Sequence, residues 1–432
     1  MADVKSGLIT DLSQAWLRVG LAILIAGCAR YALNAAEAEA PVPTYRDLEA
    51  PPHNYPARTP KDRFSGMLQT LESDPRLDRS SEKAFLLSFL KMFGVPASSQ
   101  LLVFSTTSLQ LSLISPANPR AIYFTDDLYV GYIPGGRLEV LSLDPELGAI
   151  FYIFDIPREK GAIGFERSQR CMKCHVNDDT GHVPGVVIKS VVPGPHGGSL
   201  DGFRGGQSGH AVPFSDRFGG WHVTGRHSIT NHWGNLTGRM VAGDVKTFPN
   251  PPGERFQWAK YPVATSDILA HLLLEHQAGF VNRVVEAGYR ARTALFISNG
   301  KLTPAQSAEL DAQAGMVVRY LLFGDEVPLP AGGIEPDSTF KADFLRERRA
   351  TVEGLSLKDL DLKTRLFKHR CSYMIYSPVF GGLPEFLKTR IYSGLQEALQ
   401  DGNTEFGYLP AAEKKTIRGI LKATLKDLPP PW

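Results

Sequence analysis

Cys171-Met172-Lys173-Cys174-His175 is the densest group of reactive side chains in the sequence. Two thiols three positions apart sit about one helical turn from each other, so both can reach one edge of a flat macrocycle. The imidazole that follows then falls beneath the ring. This is the attachment pattern of haem c, in which two thioethers hold the vinyl groups and His175 is the proximal iron ligand. With 4 Cys and 11 His in 432 residues, random placement gives the pattern on the order of once per thousand such chains. One copy is present, so one haem is expected. Two other readings compete. A zinc site normally takes a second ligand pair of similar spacing, and there is no second Cys pair. A thioredoxin-like dithiol belongs in a βαβ context, whereas Cys171 follows a run of short strands.

The chemistry of a haem depends on its other axial position. A sulfur or imidazole there suits electron transfer, and an open position admits small molecules or peroxide. His276 is the first candidate. At helical spacing it shares a stripe with Leu269, Leu273, Phe280 and Val284, so it points into an apolar face and needs a partner. Iron would serve, and so would a backbone carbonyl to a core histidine. Met240 follows His175 by a separation reminiscent of small cytochromes c, although its neighbours do not echo a Met-ligand loop and a Met in a loop is more often plain packing. His210, His222, His227 and His232 lie on a Gly-rich loop, and their spacings do not align on a helix or strand as a joint metal site. Some of these histidines, with Arg217 or Arg226, are candidates to bond haem propionates or to line a distal pocket. The alternative is solvated loop residues. No HExxH, P-loop or Gly-x-Ser-x-Gly pattern occurs. Cys371 reads as a small buried residue.

The elements that position these residues follow from composition and periodicity. Hydrophobic content of 43% and charged content of 21% are those of a globular chain, so wholesale disorder is excluded. A net charge of +2 without a Lys/Arg-rich run argues against nucleic acid. An apolar stripe of Phe85, Leu86, Phe89 and Leu90 predicts a helix over 81–93, stopped by Gly94 and Pro96. Residues 101–104, 121–124, 129–132, 138–141 and 149–154 are short β-branched or aromatic runs, and Pro134-Gly135-Gly136 and Asp144–Gly148 read as turns. They predict a small antiparallel meander with one packed face and one wetter face. Residues 161–255 are rich in Gly, Pro and His, with candidate strands at Val186–Val192 and Trp221–Thr224. A loop-rich segment of that length is expected to wrap something, and a haem fits. Helices are expected from Asp267 to about Arg290, from the capping box Thr303-Pro304-Ala305-Gln306 to about Phe323, over Pro384–Gln400 and over Ala411–Leu428.

At the N-terminus the uncharged run Val19–Cys28, preceded by Arg18, is too short to span a bilayer and suits an export signal over residues 1–40. Ile25-Ala26-Gly27-Cys28 resembles a lipobox that would leave a lipid anchor on Cys28, and Ala36-Glu37-Ala38 offers an ordinary cleavage site instead. Residues 41–80 read as a Pro-rich tether, 81–255 as a β-rich haem-attachment domain, and 256–432 as a helical region packing on it. The fold class expected is α+β: an antiparallel β meander, a loop-rich c-type haem region and a helical C-terminal region closing over it.

Ser105–Gln110, the haem motif, Phe218-Gly-Gly-Trp-His-Val-Thr-Gly225, Glu275-His276-Gln277 and Ser372–Ser377 together resemble a family of exported bacterial monohaem proteins known as cytochrome c domain proteins. The likeness covers roughly residues 95 to 400. It implies the same role for Cys171, Cys174 and His175, draws attention to His276, and implies no particular substrate. Together these readings predict a periplasmic cytochrome that transfers single electrons to redox partner proteins and touches a membrane only through a lipid on Cys28. A haem enzyme of peroxidase or oxidoreductase type, or a haem-based sensor or partner subunit, is the alternative expectation.

Overall fold

In the computed structural model the described residues are 42–71, 74–157, 163–203, 208–430 and 432. The export-signal reading and Cys28 lie outside them. The five apolar runs form β1 (Leu101–Val103), β2 (Arg120–Phe124), β3 (Leu128–Tyr132), β4 (Leu138–Asp144) and β5 (Gly148–Phe154), each antiparallel to the next. The two-residue strands β6 (Glu166–Arg167) and β7 (Trp221–His222) extend the two edges, giving the order β6-β5-β4-β3-β2-β1-β7. The β4–β5 turn closes on Gly148 at φ 75°, where a Cβ would stand 2.6 Å from the Pro184 carbonyl oxygen. Left-handed backbone and close approach both require glycine there.

The sheet has no wet face, contrary to expectation. Alternate residues sort into two cores: Val103, Phe124, Tyr129 and Phe151 on one side, and Leu102, Tyr123, Val130 and Tyr152 on the other. The second side is covered by α1 (Glu82–Met92), whose N-cap Ser81 accepts from the Ala84 N–H and whose buried residues are the expected stripe. It is also covered by the stretch read as a tether. Tyr55, Phe64, Leu71 and Leu77 are buried there, Tyr55 donates its hydroxyl to the Ala149 carbonyl at 2.7 Å, and Asp62 accepts from Tyr152 at 2.7 Å. The prolines of that stretch shape turns, and the aromatic residues between them supply the apolar area that a free linker lacks.

The first side packs against α2 (Ile268–Ile297), a 30-residue helix capped by Asp267. It was expected to be amphipathic and is buried nearly all round, His271 and Gln277 included. Around it stand α3 (Pro304–Leu321), opened by the expected capping box, α4 (Ser338–Arg346), α5 (Glu385–Ala398) and α6 (Ala411–Thr424). Because α2 shares one core with the sheet, no boundary falls near residue 255, and Thr44–Trp432 forms one compact unit. The fold is mixed helix and antiparallel sheet, of α+β type. Between the sheet and α2 the chain is loop-rich. Val191–Pro193 pairs with Ser199–Gly202, and an unanticipated hairpin joins Leu236–Val241 to Asp244–Pro249. That hairpin is mostly exposed, so its strands lack the apolar alternation that would have betrayed them. Among the described residues no helix is long and apolar enough to cross a membrane.

Candidate haem-attachment site

Gln169–Cys171 is a 3₁₀ turn that runs into a single α-turn, Met172–His175. This puts Cys171, Cys174 and His175 on consecutive turns of one short helical segment. Cys171 is half-buried, Cys174 is exposed, and both are free thiols. Met172 anchors the segment by packing against both cores. Burial raises the Cys171 thiol above its ordinary value, so it is held as a thiol.

His175 is oriented from three directions. Its Nδ1 lies 2.9 Å from the Gly185 carbonyl oxygen, its ring packs 4.7 Å from that of Phe151 on β5, and its own carbonyl accepts from the Thr180 hydroxyl at 3.3 Å. A carbonyl can only accept, so Nδ1 carries the proton and Nε2 keeps its lone pair. Among the described residues Nε2 has no hydrogen-bond partner. Burial pushes the imidazole down to about 4, outweighing the opposing effect of the bond to Gly185, so it is neutral at physiological pH. A neutral imidazole with Nδ1–H fixed to a carbonyl and Nε2 free is the state in which histidine binds a metal.

The loop that carries Gly185 is held by α2. Asn282 accepts from the Val186 N–H at 2.8 Å and donates to the carbonyls of Val186 at 2.9 Å and Asp179 at 3.1 Å. A Cβ on Gly185 would meet the Asn282 side chain at 2.4 Å, which explains glycine at that position. Towards the sheet, Arg120 of β2 pairs with Glu139 of β4 at 2.5 Å, both largely buried. Glu139 also accepts from Ser108 at 2.6 Å and Gln110 at 3.0 Å. These bonds tie the Ser105–Gln110 stretch to the sheet beside the haem motif. Sequence reasoning missed Phe151, Gly185, Asn282 and the Arg120–Glu139 pair, because each contact depends on how the chain folds back and leaves no periodic or motif signal.

The candidate sixth ligands have contacts of their own. His276 is fully buried and both ring nitrogens are taken, Nδ1 by His210 Nδ1 at 2.9 Å and Nε2 by the Ser372 hydroxyl at 2.7 Å. His210 Nε2 lies 3.3 Å from the Gly324 carbonyl, so its Nδ1 accepts from His276 and Ser372 donates to the other end. The His276 ring is near-parallel to that of Phe323 at 4.6 Å, and burial pushes it down to about 3. In this arrangement His276 is a hydrogen-bonded core histidine, and binding iron through Nε2 would displace the Ser372 hydroxyl while leaving the Nδ1–H bond to His210 in place. Met240 sits on the hairpin with its side chain 57% exposed, where it cannot shield a metal from water.

The loop histidines do not act as one group. His222 is buried between Phe104 and Phe256, and His227 and His232 stand 5.4 Å apart between ring centroids. His271 lies 2.8 Å from the His222 carbonyl. Among the described residues no three His, Cys, Asp or Glu side chains are arranged to hold a metal ion. Arg217 is buried against the carbonyls of His210 and Val212, and Arg226 is exposed opposite Glu335, so neither is placed as a propionate partner by these contacts. Compared with protein-family models, curated proteins and solved structures, the chain matches none.

Proposed function

We propose that Cys171 and Cys174 carry one covalent haem c with His175 as proximal ligand, and that the mature protein is an exported monohaem cytochrome. The observation that carries this reading is the His175 imidazole, neutral, tied through Nδ1 to Gly185 and with Nε2 unpartnered, one residue after a Cys-x-x-Cys pair. Haem, when bound, supplies an iron that alternates between Fe(III) and Fe(II). The protein's own contribution is orientation: Phe151 and Gly185 fix the ring plane, and Asn282 fixes the loop that presents Gly185. The leading activity is one-electron transfer to redox partner proteins in the periplasm, with any membrane attachment made through Cys28.

A second reading rests on His276. Both nitrogens of that imidazole are hydrogen-bonded, to His210 and Ser372, which disfavours it as an internal sixth ligand. An open distal position would suit a haem enzyme or a gas sensor better than an electron carrier.

The test is production alongside haem-maturation machinery. Wild type should retain haem on a denaturing gel and give a pyridine haemochrome spectrum of two thioether links. Cys171→Ala should leave a single link. Colourless wild-type protein, or pigment extracted by acidified acetone, would overturn the proposal. Ferric spin state and carbon monoxide binding then divide the two activities: low-spin iron inert to carbon monoxide supports electron transfer, and high-spin iron that binds it supports the second reading.

A further inference from the structure

We propose that the cleft between α1, the β2–β3 turn and α4 is a binding site for a small organic anion with an apolar body, a monocarboxylate being the simplest member of the class. The cleft measures about 940 Å³, within the range of small-molecule sites. It is distinct from the haem motif. It opens at the Asp126 end of β2, whereas Arg120, at the other end of that strand, adjoins His175. Six residues of extended chain separate them by about 20 Å.

The walls are apolar: Phe124 from β2, Phe340 and Phe344 from α4, and Leu87, Leu90 and Val95 from α1 and the turn after it. The charged groups of the lining are unevenly satisfied. Three of the four acids in the lining already have a cation each. Asp126 pairs with Lys358 at 2.8 Å, Asp127 with Arg63 at 2.8 Å, and Asp343 with Arg346. Lys358 is further held over the rings of Phe344 and Tyr373, at 4.7 and 4.8 Å. Lys91 and Arg349 then remain against Glu347 alone, leaving the lining one positive charge in surplus. Arg349 makes no ion pair among the described residues and rests on the Tyr376 ring at 4.5 Å.

The next residue supplies the second observation. Ser377 is 5% exposed, lines the cleft, and its hydroxyl has no hydrogen-bond partner among the described residues. A buried hydroxyl without a partner is destabilising, so a ligand oxygen would be favoured there. Arg349, resting on the Tyr376 ring, and the orphan O–H of the following residue, Ser377, thus present a cation and a donor to the cleft. A carboxylate offers two acceptor oxygens to two donors, and its apolar body can lie against Phe124 and Phe340. A cation meets the charge surplus, and a neutral amide forgoes the charge-assisted bond.

The experiment is a fluorine NMR titration of the full-length mature protein with 4-fluorobenzoate, with 4-fluorobenzamide as the uncharged analogue. Saturable benzoate binding is expected, roughly tenfold or more tighter than the amide. Arg349→Gln should weaken benzoate by about five- to tenfold while leaving the amide unchanged, and Ser377→Ala should weaken both, because the amide carbonyl can accept from the same hydroxyl. Both side chains sit at the cleft rather than in the haem motif, so haem content should match wild type and the unfolding temperature should not fall appreciably, showing that the variants are folded. No saturation below about 10 mM, equal affinity for the amide, or unaltered benzoate binding in both variants would each overturn the assignment.

Discussion

His276→Ala separates a core histidine from an iron ligand, because the two roles predict opposite readouts. In the structure the substitution removes the bond to His210 at 2.9 Å and the bond to Ser372 at 2.7 Å. Each is worth about 1 kcal/mol net, and more where a buried partner is left unsatisfied. Ser372 keeps the bond it accepts from the Met374 N–H, so the larger penalty falls on His210. The lost ring also leaves a cavity of roughly 60 Å³ against Phe323 and Tyr320, which adds about 1.5 kcal/mol. Loss of the ring contact with Phe323 adds about 1 kcal/mol. The sum is about 4–5 kcal/mol, or about 5 °C in Tm for a unit of this size. The assay pairs calorimetry with absorbance spectra, oxidised and reduced, of protein produced alongside haem-maturation machinery, on the haem attachment proposed above. The expected result is a marked fall in Tm with unaltered axial ligation. A Tm within about 1 °C of wild type, together with a change of spin state, would refute the core-histidine reading and restore His276 as a ligand.

Asn282→Ala removes three buried hydrogen bonds to the loop that positions His175, so a loss of about 3 kcal/mol and faster amide exchange at Val186 are expected. Hydrogen-exchange mass spectrometry over 179–186 checks this, and unchanged protection would count against α2 as the clamp. Stability should also depend on pH in two opposed ways. Burial raises the Glu326 carboxyl from 4.5 to about 7, so the folded state binds the extra proton between those values and loses stability as pH rises through that window. Glu326→Gln should remove that component, about 1–3 kcal/mol, in denaturation midpoints measured from pH 4.5 to 7.5. Burial lowers His53, His232 and His271 to about 4, so the folded state resists protons that the unfolded state takes up. Stability present above 6.5 should then be lost as pH falls towards 4. A flat profile from pH 4 to 6.5 in the Glu326→Gln variant would contradict that burial.

The sequence by itself determined what is local. The separations of two sulfurs and an imidazole are fixed by the sequence and suit one helical turn, and the cap at Thr303 and the stripe of α1 are set within a few residues. The strands were legible for the same reason, since β-branched and aromatic runs between glycine turns leave few alternatives. Tertiary structure decided everything that depends on what covers a surface. Alternation along β2 to β5 shows that residues take opposite sides, but not that both sides are buried, and the covering stretch from Thr44 to Leu77 looked like a linker because prolines dominate its composition. The same limit applied to His276. Helical spacing showed that it faces inward, and only the approach of His210 and Ser372, 66 and 96 residues away, shows which atoms meet its nitrogens. A buried polar group must find a partner, yet the identity of that partner belongs to the packing and not to the residue.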